Sequence, residues 1–457
     1  MARRLSVCAL ALSTLALADD VFAQTMPSNV PARVAAADMP AVEADRRRLF
    51  AEMMADPSNL DIAFRYAALS SQAGDLEAAI ATLERMLIFA PGLPRLQLEL
   101  GVLYYRLGAD ETAETYFASA LAAPDVPEEV RSKVEPYRVA IRERSKVDSF
   151  SGMVMSGVRW QSNANAAPEL RSIRTTLLDD PLLLDEAALG DSDVNAFVTG
   201  NFRYTRDLGS QGDRLEAGLQ TYGALYAEHD EINTGFAELT LGPTFNLERF
   251  AIENATLGLY GILGGVVLKD DPYLLSGGVG VQLSKLIDNR TRLNLRGEYR
   301  AESFDDSDLR PTASDRSGDR FRASLGLQHQ ATARLTLFGN LNAEHREADR
   351  DYLSYTEVGL VAGGSLTFRS PFPSQAEPWA VGLAAGYIDR DYDAPDTVFS
   401  LTEEEEDEEA FVESSLTVPL REDWALQATL GYRDVDSNYD MRNYDNVSAS
   451  LGVMKRF

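Results

Sequence analysis

Trp424-Ala425-Leu426-Gln427-Ala428-Thr429-Leu430-Gly431-Tyr432-Arg433 carries an apolar side chain at every second position. Successive side chains of a β-strand point to opposite faces. Trp424, Leu426, Ala428, Leu430 and Tyr432 therefore share one face, and the mostly polar residues between them share the other. The same rhythm runs through Leu335, Leu337, Gly339, Leu341 and Ala343, set against Thr336, Phe338, Asn340, Asn342 and Glu344. Two architectures produce it. One is a soluble sandwich; the other is an outer-membrane barrel with apolar residues toward lipid and polar ones toward a lumen.

Working outward, about fourteen such segments follow one another from 149–162 to 445–457, among them 409–420 and 424–437. Each is long enough for a tilted membrane strand of roughly 9–11 residues. If the first strand rises from the periplasm, the long connections 163–192, 305–317 and 392–408 fall on the outer side. The tight turns Asp288-Asn289-Arg290, Thr332-Ala333 and Arg421-Glu422-Asp423 then fall on the periplasmic side. Residues 229–231 and 269–272 are short outer loops and 370–377 is a longer inner turn, so the pattern holds for most connections. Long outer loops and short periplasmic turns mark outer-membrane barrels. A sandwich has no reason to segregate them. Val447, Ala449, Leu451 and Val453 alternate, and Phe457 stands in the same phase. This ending is similar to the signal by which barrels are recognised for assembly, which makes the barrel assembly machinery an expected partner. Lys455 departs from that signal and is expected to snorkel toward the interface. Residues 149–457 are thus expected to form a transmembrane antiparallel β-barrel of about 14 strands.

The net charge of −28 argues against nucleic acid as a partner, because phosphate binding needs clustered Lys and Arg. Residues 1–23 read as a secretory signal: Arg3 and Arg4, an apolar run from Leu5 to Ala18, and the small-x-small site Val21-Phe22-Ala23. The single cysteine, Cys8, lies inside this run after Val7, not after a small residue, which argues against lipid attachment. Without it the mature chain has no disulfide, thiolate metal site or cysteine nucleophile. No other stretch has 18 consecutive apolar residues, so a membrane location requires a barrel.

Residues 24–40 are rich in Ala and Pro and read as a flexible lead. Residues 41–145 read as a helical domain, its first helix running from Pro40 to about Met54 before Asp56-Pro57. A 34-residue period follows: Gly74 and Gly108, Ala79 and Ala113, Leu83 and Phe117, Leu69 and Leu103, Met86 and Ala120. That is the helix–turn–helix period of a tetratricopeptide solenoid. Residues 128–144, with Val130, Val134, Tyr137 and Ile141 on one stripe, read as a closing helix. By resemblance to tetratricopeptide repeats, a client or chaperone groove would be lined by Phe64, Gln72, Arg95, Leu98, Tyr105 and Arg106.

Catalytic motifs are missing. His229, His329 and His345 fall in different strands and loops, and there is no HExxH, GxSxG, Walker A or GxGxxG. Neither an enzyme nor a metal or cofactor site is expected. The run Glu403-Glu404-Glu405-Glu406-Asp407-Glu408-Glu409 predicts a solvated, flexible loop, because adjacent carboxylates repel and the spacing lacks a calcium loop's turn glycine. The apolar residues Leu177-Leu178 and Leu182-Leu183-Leu184 in the first outer loop leave three placements open: in the lumen, on the rim, or in a short surface helix. The predicted lumen face carries Glu216, Gln220, Arg292, Arg296, Glu298, Arg300, Gln328, Arg322 and Arg433.

A secretory signal, a short helical array and a barrel of about fourteen strands together resemble the surface lipoprotein assembly modulators (Slam), whose barrel is also called the surface lipoprotein assembly modifier domain. The glycine-containing first strand running into an Asn-containing loop, Ser156-Gly157-Val158-Arg159-Trp160-Gln161-Ser162-Asn163-Ala164-Asn165, is similar to the start of that barrel. The resemblance implies an outer-membrane protein of a Gram-negative bacterium, with its helices in the periplasm. It also implies transfer of lipoproteins or related secreted proteins to the cell surface. Export of exopolysaccharide and passive diffusion are the rival functions.

Overall fold

The computed structural model describes residues 39–457 except 57, 123–125, 127, 145, 177–179, 374, 376 and 422. The expected signal (1–23) and nearly all of the lead (24–40) lie outside the described residues, as do Leu177 and Leu178. The chain divides into a helical unit and a barrel unit, meeting in sequence at Val147–Asp148.

The helical unit contains α1 (Met39–Ala55), α2 (Leu60–Ala73), α3 (Leu76–Leu87), α4 (Pro94–Leu107), α5 (Asp110–Ala122) and α6 (Glu128–Arg144). Asn59 starts α2 by accepting the Ile62 N–H through its side chain, and Asp75 does the same for α3 with Ala78. Gly74 and Gly108 end α2 and α4 in the left-handed region, with φ of 89° and 83°. A side chain would be strained at both positions. The 34-residue spacing reappears in the packing: Ala79 and Ala113, Leu83 and Phe117, and Met86 and Ala120 are all buried. Two apolar clusters hold the helices together. One is built on Leu49, Met53, Tyr66 and Leu83; the other joins Leu98 and Phe117 to Val130, Val134 and Ile141 of α6.

The barrel begins with β1 (Asp148–Gln161). Its first connection holds a two-residue pair, β2 (Ser172–Ile173) and β3 (Leu182–Leu183). Then come β4 (Asp193–Asp207), β5 (Arg214–Tyr226), β6 (Thr234–Asn246), β7 (Ala255–Leu268), β8 (Asp271–Asp288) and β9 (Thr291–Phe304). The rest are β10 (Gly318–Gln330), β11 (Leu335–Ala348), β12 (Tyr355–Phe368), β13 (Trp379–Tyr392), β14 (Glu406–Arg421), β15 (Trp424–Ser437) and β16 (Tyr444–Arg456). Fourteen of these form one closed antiparallel barrel in which each strand pairs with its chain neighbours and β1 pairs with β16. The expected fold is the observed one. Closure leaves no sheet edge, which is the condition for crossing hydrocarbon.

The alternation resolves as lipid face and lumen face. Leu295, Leu325, Leu341 and Leu360 lie directly opposite one another across β9–β12, all facing outward and 39–55% exposed. In water this row would be an aggregation hazard; in a bilayer it is the solvated face. One end of the barrel carries the long connections 162–192, 305–317 and 393–405. The other carries Asp148, Phe457 and turns such as 289–290. At that second end Phe457 stacks on Phe150, and its backbone exchanges hydrogen bonds of 2.8 and 3.1 Å with Gly152. Lys455 lies with Nζ 5.3 Å from the centroid of the Trp424 ring, covering the indole while its charge stays exposed.

Candidate functional site: a charge lattice in the barrel lumen

Toward the end with the long connections, the inward residues form one cross-strand row: Glu298, Arg322, Glu344, Glu357, Arg390 and Asp407, each directly opposite the next across β9–β14. Two residues further along the strands, Arg300, Arg320 and Arg346 are likewise directly opposed. Like charges in direct opposition destabilise a sheet unless they are bridged. Here the bridges run directly across, diagonally and along the strands. Arg322 reaches Glu344 at 2.5 Å, Arg320 and Arg346 both reach Glu302 (2.6 and 3.1 Å), and Arg300 contacts Glu238 and Glu298. Tyr260 and Tyr355 donate hydroxyl hydrogen bonds to Glu298 and Glu344. Arg390 donates to Glu357 (2.5 Å) and lies 3.7 Å from Asp407. The arginine forks suit this role, because one guanidinium can serve two carboxylates in a fixed plane.

The acidic run corrects the expectation of a flexible solvated loop. Its second half is the head of β14, and its side chains alternate. Glu405, Asp407 and Glu409 are 2–3% exposed, whereas Glu404, Glu406 and Glu408 face outward. Each inward carboxylate has an arginine: Arg442 at 2.9 Å from Glu405, Arg390 beside Asp407, and Arg433 at 2.5 Å from Glu409. The repulsion that would disorder an isolated run is offset by three cations on neighbouring segments. β14 accordingly starts at Glu406, three residues earlier than expected.

Burial pushes the Glu405 carboxyl up to about 6, the nearby Arg442 opposing the shift. A carboxyl raised in the folded state binds more protons there than when unfolded. Folding is therefore favoured as the pH falls through 6, and that gain disappears above it. Amide hydrogen exchange in residues 393–405 is expected to slow between pH 7.5 and pH 5, after correction for the intrinsic pH dependence of exchange, and this difference should vanish in Glu405→Gln.

The other expected lumen residues occupy less crowded positions. Glu216, on β5, lies 3.6 Å from Arg214 near the end that carries Asp148 and Phe457, and Gln220 lines the lumen cavity. Arg292 is exposed, and Arg296 donates to Gln282 at 3.3 Å. Arg433 also lies over the Phe411 ring. Arg320, Arg346, Arg390, Glu302 and Glu357 stand in the lattice beyond the expected lumen residues, since their partners lie on other strands. The signal was available as Arg300-Ala301-Glu302 and Glu344-His345-Arg346, where charges stand two apart.

The first connection sits on the rim. Arg174 grips Asp440 with two guanidinium bonds of 3.1 and 3.2 Å, and Thr176 hydrogen-bonds backbone oxygens of Thr397 and Val398. The leucines themselves do not make these contacts: Leu182 and Leu183 are 38% and 75% exposed. His229 contacts Glu231, His329 contacts Thr291, and His345 contacts Thr356, three separate surroundings. Among the described residues no group of His, Cys, Asp and Glu is placed to hold a metal ion.

In the helical unit, Arg95 lies over the Phe64 ring at 5.3 Å and Arg106 reaches Ser71 from α4 to α2. Leu98, expected in the groove, is instead a core residue at 4% exposure, because α6 packs against it. Tyr105 meets Tyr137 of α6 edge-on at 5.3 Å. Gln72 is on α2, its side chain outside the described set.

Residues 210–457 match the surface lipoprotein assembly modifier family. The chain belongs to that family. No curated protein matches it. Similar solved structures include an anion-selective porin from Comamonas acidovorans (11% identity, TM-score 0.35, 68% of this chain and 99% of the porin). Another is the outer-membrane channel DcaP of Acinetobacter baumannii (9% identity, TM-score 0.36, 68% and 97%). A third is the Yersinia enterocolitica type III secretion chaperone SycD with a peptide of the translocator YopD (15% identity, TM-score 0.22, 29% and 95%). As a surface lipoprotein assembly modifier with a closed barrel, the protein resides in the outer membrane, as a translocator or porin.

Proposed function

We propose that this protein delivers lipoproteins, or secreted proteins related to them, across the outer membrane to the cell surface. The observation that carries the reading is family membership over residues 210–457, joined in one chain to an N-terminal helical unit. In this reading residues 1–23 are the secretory signal and residues 41–145 are tetratricopeptide-like repeats in the periplasm. Their groove, around Phe64, Arg95 and Arg106, holds the client or its chaperone. The barrel is inserted by the barrel assembly machinery and acts as a conduit without catalytic chemistry. A lumen wall lined by paired charges supports a conduit that opens for a client rather than a standing sieve.

Deletion of residues 58–144 tests this. Protease shaving of intact cells should show loss of a surface client while passive solute flux is unchanged. Loss of exopolysaccharide export with surface proteins unaffected would reject the reading in favour of a polysaccharide exporter.

A further inference from the structure

The lumen beside the charge lattice encloses a cavity whose surface charge is opposite to that of the chain. Seven arginines but only two carboxylates, Glu238 and Glu302, line it, although the protein carries a net charge of −28. Glu298, Glu344, Glu357 and Asp407 lie behind the guanidinium groups and are not part of the cavity wall. Arg300, Arg320 and Arg346 present a cross-strand row to it. Arg316, in the short helical turn Ala313–Arg316 before β10, presents a guanidinium that has no ion pair among the described residues. Its neighbour Asp315 is held by Arg350 at 3.2 Å. The facing wall has no charge over β1, β4 and β5: it offers Thr199, Asn201, Gln220 and Tyr222.

We propose that this cavity is a binding site for a small, soluble polyanion bearing phosphate or carboxylate groups, anchored by Arg316 with Arg320 and Arg346. Guanidinium forks match such oxyanions with paired N–H bonds. A recessed site in which one sign of charge predominates, with low-dielectric walls, concentrates ions of the other sign. The amide and hydroxyl groups opposite would hydrogen-bond the neutral part of the ligand. A bilayer lipid is not the occupant, because the closed sheet separates the cavity from the hydrocarbon. The inference is independent of the translocation reading.

The test is isothermal titration of the detergent-solubilised full-length protein with inorganic pyrophosphate. Saturable binding is expected. Arg316→Gln, which removes no side-chain hydrogen bond or ion pair among the described residues, should weaken it about tenfold or more, and Arg316→Lys should retain most of it. Arg292→Gln, on the lumen face but outside the cavity, should leave it unchanged. The proposal is overturned if no saturable binding occurs, if Arg316→Gln binds like the parent, or if Arg292→Gln weakens binding equally. The last result would mark a diffuse charge effect.

Discussion

Glu344→Ala is expected to destabilise the folded barrel by about 3–5 kcal/mol, the cost of leaving buried charges without their partner. Glu344 accepts from Arg322 through Nε and Nη2 at 2.7 and 2.5 Å and from the Tyr355 hydroxyl at 2.9 Å, and Arg320 lies within 3.9 Å. Its side chain is 2% exposed, so little water can take its place. Removing it leaves Arg322 without a carboxylate ion pair among the described residues and Arg320 with Glu302 alone. Equilibrium unfolding in urea from lipid vesicles, read by tryptophan fluorescence, measures the loss. The double variant Arg322→Leu with Glu344→Leu separates charge pairing from packing. An apolar replacement of a whole buried pair is often neutral, so the double variant should recover a substantial part of the loss. If it is as unstable as the sum of the two single variants, the pair is not coupled and the lattice contributes no more than its packing volume.

The contrast between strands and lattice shows what the sequence discloses. Periodicity is local, and Trp424 to Arg433 contains everything needed to place β15: apolar residues at every second position with a turn before them. The same holds for all fourteen strands and for the two left-handed stops at Gly74 and Gly108. Charge pairing is nonlocal. Glu409 and Arg433 are 24 positions apart, and Glu357 and Arg390 are 33 apart. The acidic run therefore looked solvated, because a local reading sees seven like charges and no partner. Register would have supplied it: with β14 extended to Glu406, Asp407 falls opposite Arg390. Leu98 escaped for the same reason. Its groove assignment followed from its position in one repeat, and its burial follows from α6, thirty residues on.

Gly157→Val is expected to prevent closure of the barrel. The joint between β1 and β16 is a run of nine residue pairs, from Met153 opposite Arg456 to Gln161 opposite Ser448. Gly157 faces Gly452 in the middle of that run. A Cβ on Gly157 would lie 2.2 Å from the Leu451 carbonyl oxygen and 2.6 Å from the Gly452 Cα. Both are backbone atoms, so no rotamer change relieves the overlap and the two strands must separate. Separation is costly here in a way it is not in a soluble sheet. Each ladder hydrogen bond lost in hydrocarbon leaves a donor and an acceptor with no water to replace it, at several kcal/mol per group. The chain then either stays unfolded or keeps an open edge. On a gel run without heating, the parent should migrate as a compact folded band and Gly157→Val as the slower unfolded form. Gly452→Ala is the matched control. Its Cβ would come no nearer than 3.2 Å to any neighbour, to Met155 Cγ and the Ser156 oxygen, contacts that small shifts accommodate. A compact, protease-resistant Gly157→Val would mean that the β1–β16 joint slides to another register, and the nine-pair ladder would not be the closure that membrane insertion depends on.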